Sequence, residues 1–181
     1  MMPLMMLIVL AIKVESPGPC LFRQSRFGLH NRPFTILKFR TMRSSAPEAE
    51  GGRLIQTNRT DARVTRVGRV LRATSLDELP QLFNVLAGDM SIVGPRPHAV
   101  NMMIGESPYH ELFPHYGLRH VVRPGLTGLA QVSGNRGIVD SVEKARDRLD
   151  QDLAYIESMS LASDLAIMAK TVLVVLRCEA F

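Results

Sequence analysis

The chain opens on twelve uncharged residues, MMPLMMLIVLAI, apolar on every face at helical spacing and closed by the turn-forming Ser16-Pro17-Gly18-Pro19. At about 1.5 Å per residue such a helix reaches roughly 18 Å, short of the roughly 30 Å of bilayer hydrocarbon, so it cannot span. Lys13 and Glu15 follow the apolar stretch instead of preceding it, and no small-residue cleavage site comes after, so it does not read as an export signal. A buried core helix, a helix dipping into one leaflet and the back half of a longer membrane segment all stay open. FTILKFRTM at 34–42 predicts a strand whose period of two sets Ile36, Lys38, Arg40 and Met42 on one face and Leu37, Phe39 and Thr41 on the other. The polar stretch 43–59, with Pro47, Gly51 and Gly52, predicts a loop. Val64, Val67, Val70 and Leu71 then make the stripe of a helix flanked by arginines. Leu79, Leu82, Phe83 and Leu86 repeat at helical spacing, with Pro80 in the first turn and Gly88 as the stop. Arg119 to Gly137 reads as irregular loop, followed by a charged helix with Leu149, Leu153 and Ile156 inward and an apolar one from about Ser163 to Leu176.

A chain of 181 residues with 46% hydrophobic and 22% charged residues forms one domain and is not a disordered polypeptide. Cys20 and Cys178 make neither a disulfide framework nor a zinc site, which fits a reducing compartment, and the five histidines never fall at metal-binding spacing. The excess of 22 basic over 17 acidic residues, +5, gathers in part between Arg59 and Arg72, where five arginines meet one aspartate. A solvated helix face, an anionic membrane surface and a nucleic acid are the three uses of such a stretch. The third lacks its usual stacking surface, because that stretch contains no aromatic residue.

The chemistry concentrates at 74–97. Asp77 and Glu78 stand at or just before a helix N-terminus, where Ser75-x-x-Glu78 matches a capping box and where a carboxylate would equally face a phosphorus atom. Arg96 lies between Pro95 and Pro97, which restrict the backbone and set the direction of a phosphate-matching guanidinium. Neither GxGxxG nor GxxxxGK[ST] occurs, so no dinucleotide fold or Walker loop is supported.

KFRTM at 38–42, TSLDELPQLFNVLAGDMSIVGPRP at 74–97, RPGLTGLAQVSG at 123–134 and DLAYI at 152–156, in that order, resemble the bacterial sugar transferases, monotopic polyprenyl-phosphate phosphoglycosyl transferases. PRPHAV at 95–100 and the Arg136-Gly137 of SGNRG are most similar to the undecaprenyl-phosphate glucose-1-phosphate transferases of exopolysaccharide synthesis. The resemblance implies transfer of a sugar-1-phosphate from a UDP-sugar to a polyprenyl phosphate through an aspartyl-phosphosugar intermediate, with magnesium (Mg2+) and release of UMP. It makes Asp77 the nucleophile and Glu78 its magnesium-linked partner, the two forming the metal-binding dyad. Arg96 would hold a phosphate, with Lys38, Arg40 and Arg123 as further candidates, and Gln131 and Arg136 would line the donor pocket. Asp152 matches an acidic position of either structural or metal-related role. Residues 1–13 would be the second half of a re-entrant membrane helix bent at Pro3, its incoming half lying outside this chain, and 14–181 the catalytic domain. The family usually has Ser before that proline, where Met2 stands. The expected fold is α+β, amphipathic helices with a small β element and no βαβ alternation, pressed on the cytoplasmic face of a bacterial inner membrane. Membrane lipid would be a partner and nucleic acid would not, with self-association left open. The alternatives from other classes are a basic nucleic-acid-binding module and a non-catalytic membrane-surface module.

Overall fold

The computed structural model describes residues 2–43, 61–135 and 137–176. Helix α1 (Met2–Glu15) leads into a hairpin of β1 (Leu21–Phe27) and β2 (Pro33–Phe39). Helix α2 (Arg66–Ala73), a 3₁₀ turn (Leu76–Glu78) and α3 (Gln81–Leu86) follow, then β3 (Ser91–Val93) and the two-residue strands β4 (Met103–Ile104) and β5 (Ser107–Pro108). β6 (Gly125–Thr127), α4 (Leu129–Val132), α5 (Val142–Glu157) and α6 (Leu161–Leu176) complete the order. The described strands form three two-stranded sheets, so the α+β expectation holds while the β content exceeds the single element predicted.

β1 is the first addition. LFRQSRF carries no clean alternation, and the strand exists because β2 supplies its partner in antiparallel register, Leu21 opposite Phe39 and Phe27 opposite Pro33. The second is the parallel pair of β3 with β6, Ser91 opposite Gly125 and Val93 opposite Thr127, which sets β3 beside a segment read as loop. Gly125 cannot be replaced there: a Cβ would lie 2.2 Å from the nitrogen of Gly94.

Helix α1 uses its uniform apolarity in two ways. Met5, Ile8 and Ile12 pack with Phe39 and Leu71 in one core cluster, while Met6, Leu7 and Leu10 stay 61–70% exposed. Among the described residues no helix is long and apolar enough to cross a membrane. The helix is tied to the core at its far end: the Glu15 carboxylate accepts from the backbone N–H groups of Arg66 (2.6 Å) and Val67 (2.8 Å), and Thr65 accepts from Gly68 N–H (2.9 Å). These three acceptors satisfy donors that the first turn of α2 leaves open.

Helix α3 inverts its expected stripe. Gln81 and Asn84 are buried, whereas Phe83 is 46% and Leu86 83% exposed. Asn84 explains the rotation, since its Oδ1 accepts from Leu37 N–H (3.0 Å) and its Nδ2 donates to Thr35 carbonyl (2.8 Å), stitching the polar side of α3 onto β2. On the other side of the molecule's core, Tyr109, Tyr116, Val139, Ala145 and Leu149 form a second cluster, and Val93, Tyr155 and Ile167 a third beneath α6. Leu149 is buried as its spacing predicts, with Leu153 and Ile156 packed against the clusters.

Candidate active site

Asp77 and Glu78 occupy the 3₁₀ turn that precedes α3, with Pro80 at the head of that helix. Leu76 and Leu79, at either side of the acid pair, pack into the core cluster of α1, β2 and α2, which holds the turn at both ends. The capping box is absent: Ser75 stands in the left-handed region at φ 57° with no capping hydrogen bond from its side chain, and the Glu78 carboxylate turns toward two cations. Helix α3 itself has only six residues, so the charge of the site comes from side chains more than from a helix dipole.

Lys38 arrives from β2 and Arg96 from the loop after β3. Lys38 Nζ donates to Glu78 Oε1 at 2.6 Å, Arg96 Nη2 donates to the same oxygen at 2.6 Å, and Arg96 Nη1 reaches Oε2 at 3.4 Å. Burial pushes the Glu78 carboxyl up, but the neighbouring guanidinium and ammonium outweigh it and hold the group well below the usual carboxylate range. Asp77 differs. Among the described residues no hydrogen-bond donor reaches its carboxylate, and burial raises its pKa to about 6, against the opposing pull of Lys38 and Arg72. Two adjacent acids are thus driven apart, one locked as a counter-ion and one free to act as a base or nucleophile.

Of the remaining sequence candidates, Lys38 and Arg96 join the acid pair and the others do not. Arg40 falls one residue past the end of β2, where the alternation stops, and its guanidinium donates to Pro17 carbonyl (2.6 Å) and to Ser16 carbonyl (2.7 Å). It closes the C-terminal end of α1, a structural task, and does not share the direction of Lys38. Arg123 lines a separate hollow of about 330 Å³ with Met90, Ile92, Leu161, Asp164 and Met168. Gln131 is buried, its Nε2 donating to Leu126 carbonyl at 3.1 Å while its Oε1 has no partner among the described residues. Arg136 lies outside the described residues. Asp152 is buried and accepts from Arg119 Nη2 (2.5 Å) and Nε (3.1 Å), an ion pair closed off from solvent.

Sequence reasoning passed over Arg119 and Arg26. Each is a cation that donates to a backbone carbonyl of the Gly94–Pro97 loop, Arg119 to that of Arg96 (2.7 Å) and Arg26 to that of Pro97 (3.0 Å), and nothing in their spacing signals that. Among the described residues no group of three His, Cys, Asp or Glu side chains gathers to hold an ion. Two carboxylates suit magnesium, which takes few protein ligands and completes its shell with substrate phosphates and water.

The family model described as bacterial sugar transferase matches residues 1–178. The chain is 55% identical over 170 residues, 94% of its own length, to a UDP-glucose:undecaprenyl-phosphate glucose-1-phosphate transferase of Caulobacter vibrioides, of which it spans 61%. It is 47% identical to the exopolysaccharide production protein PSS of Rhizobium leguminosarum bv. phaseoli, covering 94% of this chain and 84% of that one. It is also 47% identical over 94% of its length to a UDP-glucose:undecaprenyl-phosphate glucose-1-phosphate transferase of Escherichia coli K12, of which it spans 35%. A match along almost the whole chain, together with the acid pair set against Lys38 and Arg96, means that the chain belongs to the bacterial sugar transferase family.

Proposed function

We propose that this chain transfers a sugar-1-phosphate from a UDP-sugar to undecaprenyl phosphate, with Asp77 as the nucleophile. The observation that carries this reading is the contrast inside the acid pair: Glu78 is bound by two cations at 2.6 Å, while Asp77, raised to about 6, has no donor among the described residues. A carboxylate that is mostly ionised at neutral pH yet more basic than usual suits nucleophilic attack.

In the first step an oxygen of the Asp77 carboxylate attacks the phosphorus that carries the sugar, and the bond from that phosphorus to the bridging oxygen breaks. UMP departs with that oxygen, leaving an acyl phosphate on Asp77. In the second step an oxygen of the lipid phosphate attacks the same phosphorus, the bond to Asp77 breaks, and the free carboxylate returns. Both steps bring anions together, so cations must neutralise charge on the attacked group. Arg96 is suited to this because its side chain keeps 29% exposure while holding Glu78, leaving donors for a phosphate oxygen. Lys38, at 16%, serves chiefly to keep Glu78 ionised. Magnesium bound by Asp77 and Glu78 would supply further charge neutralisation and orient the diphosphate.

The exposed apolar residues support contact with a lipid leaflet: Met6, Leu7 and Leu10 of α1, Leu86 of α3, and Leu165, Val172 and Leu173 of α6 are each more than half exposed. A soluble domain seldom leaves so many large apolar side chains in water. Glucose is the donor sugar that the Caulobacter and Escherichia relatives, both UDP-glucose transferases by name, support.

The deciding experiment is mass spectrometry of detergent-solubilised protein incubated with UDP-glucose and magnesium but no lipid. A hexose-phosphate increment on the peptide containing Asp77 is expected; turnover of both substrates without that adduct rejects the nucleophile assignment.

A further inference from the structure

The loop Gly94-Pro95-Arg96-Pro97 has an unusual anchoring problem. Its two prolines lack N–H groups, so the loop can be held mainly through its carbonyls. All three carbonyls from 95 to 97 are in fact taken: Pro95 by Gly125 N–H (2.9 Å), Arg96 by Arg119 Nη2 (2.7 Å) and Pro97 by Arg26 Nη1 (3.0 Å). Arg119 is 1% exposed, and its remaining donors go to Asp152 through Nη2 (2.5 Å) and Nε (3.1 Å), with Nη1 donating to Nδ1 of His98, two residues beyond Arg96. One planar guanidinium therefore joins α5 to both ends of the Arg96–His98 segment.

Resting on the reading of Asp77, Glu78 and Arg96 above, we infer that Arg119 is a positioning residue, which with Asp152 as its counter-ion sets the guanidinium of Arg96 against Glu78 and the donor's phosphate. Asp152, the acid of the DLAYI motif, then contributes to the reaction at two removes, by orienting Arg119, and binds neither metal nor substrate. Only an arginine fits this place. A lysine has one nitrogen at the end of its stem and cannot keep Asp152, the Arg96 carbonyl and His98 together in a single plane.

The test is a double-mutant cycle on donor-dependent UMP release with Arg119→Lys and Arg96→Ala. Arg119→Lys alone should lower kcat/KM for the UDP-sugar roughly tenfold or more, as expected when a phosphate-holding group shifts by a fraction of an ångström. In the Arg96→Ala background the same change should cost less than about twofold, because the group through which Arg119 acts is gone. Equal losses in both backgrounds would overturn the inference and reduce Arg119 to a stabilising residue. The paired replacement Arg119→Met with Asp152→Leu removes the carbonyl donor without leaving a buried charge, and carries the same cycle should the lysine variant fail to fold. The underlying reading fails in a different way, through folded Asp77→Asn that still releases UMP, so the two failures are told apart.

Discussion

Asp77 and Asp152 are both aspartates withdrawn from water, and their surroundings could hardly differ more. Asp152 is closed: one oxygen accepts two donors of a buried arginine, and that arginine spends its other donors on the Gly94–Pro97 loop and His98. Asp77 is open: among the described residues its carboxylate accepts no hydrogen bond, although Lys38 sits on the adjoining Glu78. A fully paired buried acid is inert and organises the backbone around it, whereas an under-paired one keeps its basicity and stores unfavourable solvation that a substrate can relieve. The comparison separates scaffold from chemistry within a single residue type.

Asp77→Asn should sharpen it most, lowering UMP release by about 10⁴-fold or more with the far-ultraviolet circular dichroism of the wild type retained. Asp152→Ala should do the reverse in kind. Leaving Arg119 as a buried, uncompensated charge costs about 3 to 5 kcal/mol of stability, read from the midpoint of urea unfolding. If Asp152→Ala unfolds like the wild type, the closed pair is not the scaffold described here.

Smaller effects test the open side. A carboxyl whose folded pKa is about 6 lies above its unfolded value, so its ionisation costs stability progressively as the pH rises from the unfolded to the folded value and in full above the latter. Asp77→Asn should accordingly stabilise the fold at pH 7.5 by about 1 to 2 kcal/mol, an inverse relation of stability and activity expected of a catalytic acid. By the same titration, kcat/KM should fall about tenfold between pH 7 and pH 5 along a single acidic limb centred near 6. A limb centred near 4 would show that Asp77 is as well solvated as an ordinary aspartate. Last, Glu15→Ala removes the acceptor at the start of α2 and should cost about 1 kcal/mol in thermal unfolding, leaving both aspartates in place.

Much of the site was legible because it follows short-range rules. The alternation of FTILKF placed Lys38 on the Ile36 face, the two prolines marked Arg96 as directed, and Pro80 located the acid pair at the head of a helix. Those rules stop where an element stops. Arg40 was read with Lys38, but β2 ends at Phe39 and the carbonyls of Ser16 and Pro17 capture the next side chain. The Leu–Phe stripe of α3 was read from its helical spacing, yet Asn84 offers β2 a donor and an acceptor at once, and the helix turns Gln81 and Asn84 inward while Phe83 and Leu86 stay exposed.

Family membership, the acid pair, the basic residues around it and the general α+β character lie in the order of residues, because motifs and periodicity are local properties of the chain. Which of two neighbouring acids is paired with cations, which arginines face the acid pair and which hold backbone, and where β6 pairs with β3 were decided by the tertiary structure alone. The physical reason is that a carboxylate's reactivity and an arginine's task are set by the donors and acceptors within about 3 Å, and here those come from residues 18 to 71 positions away along the chain.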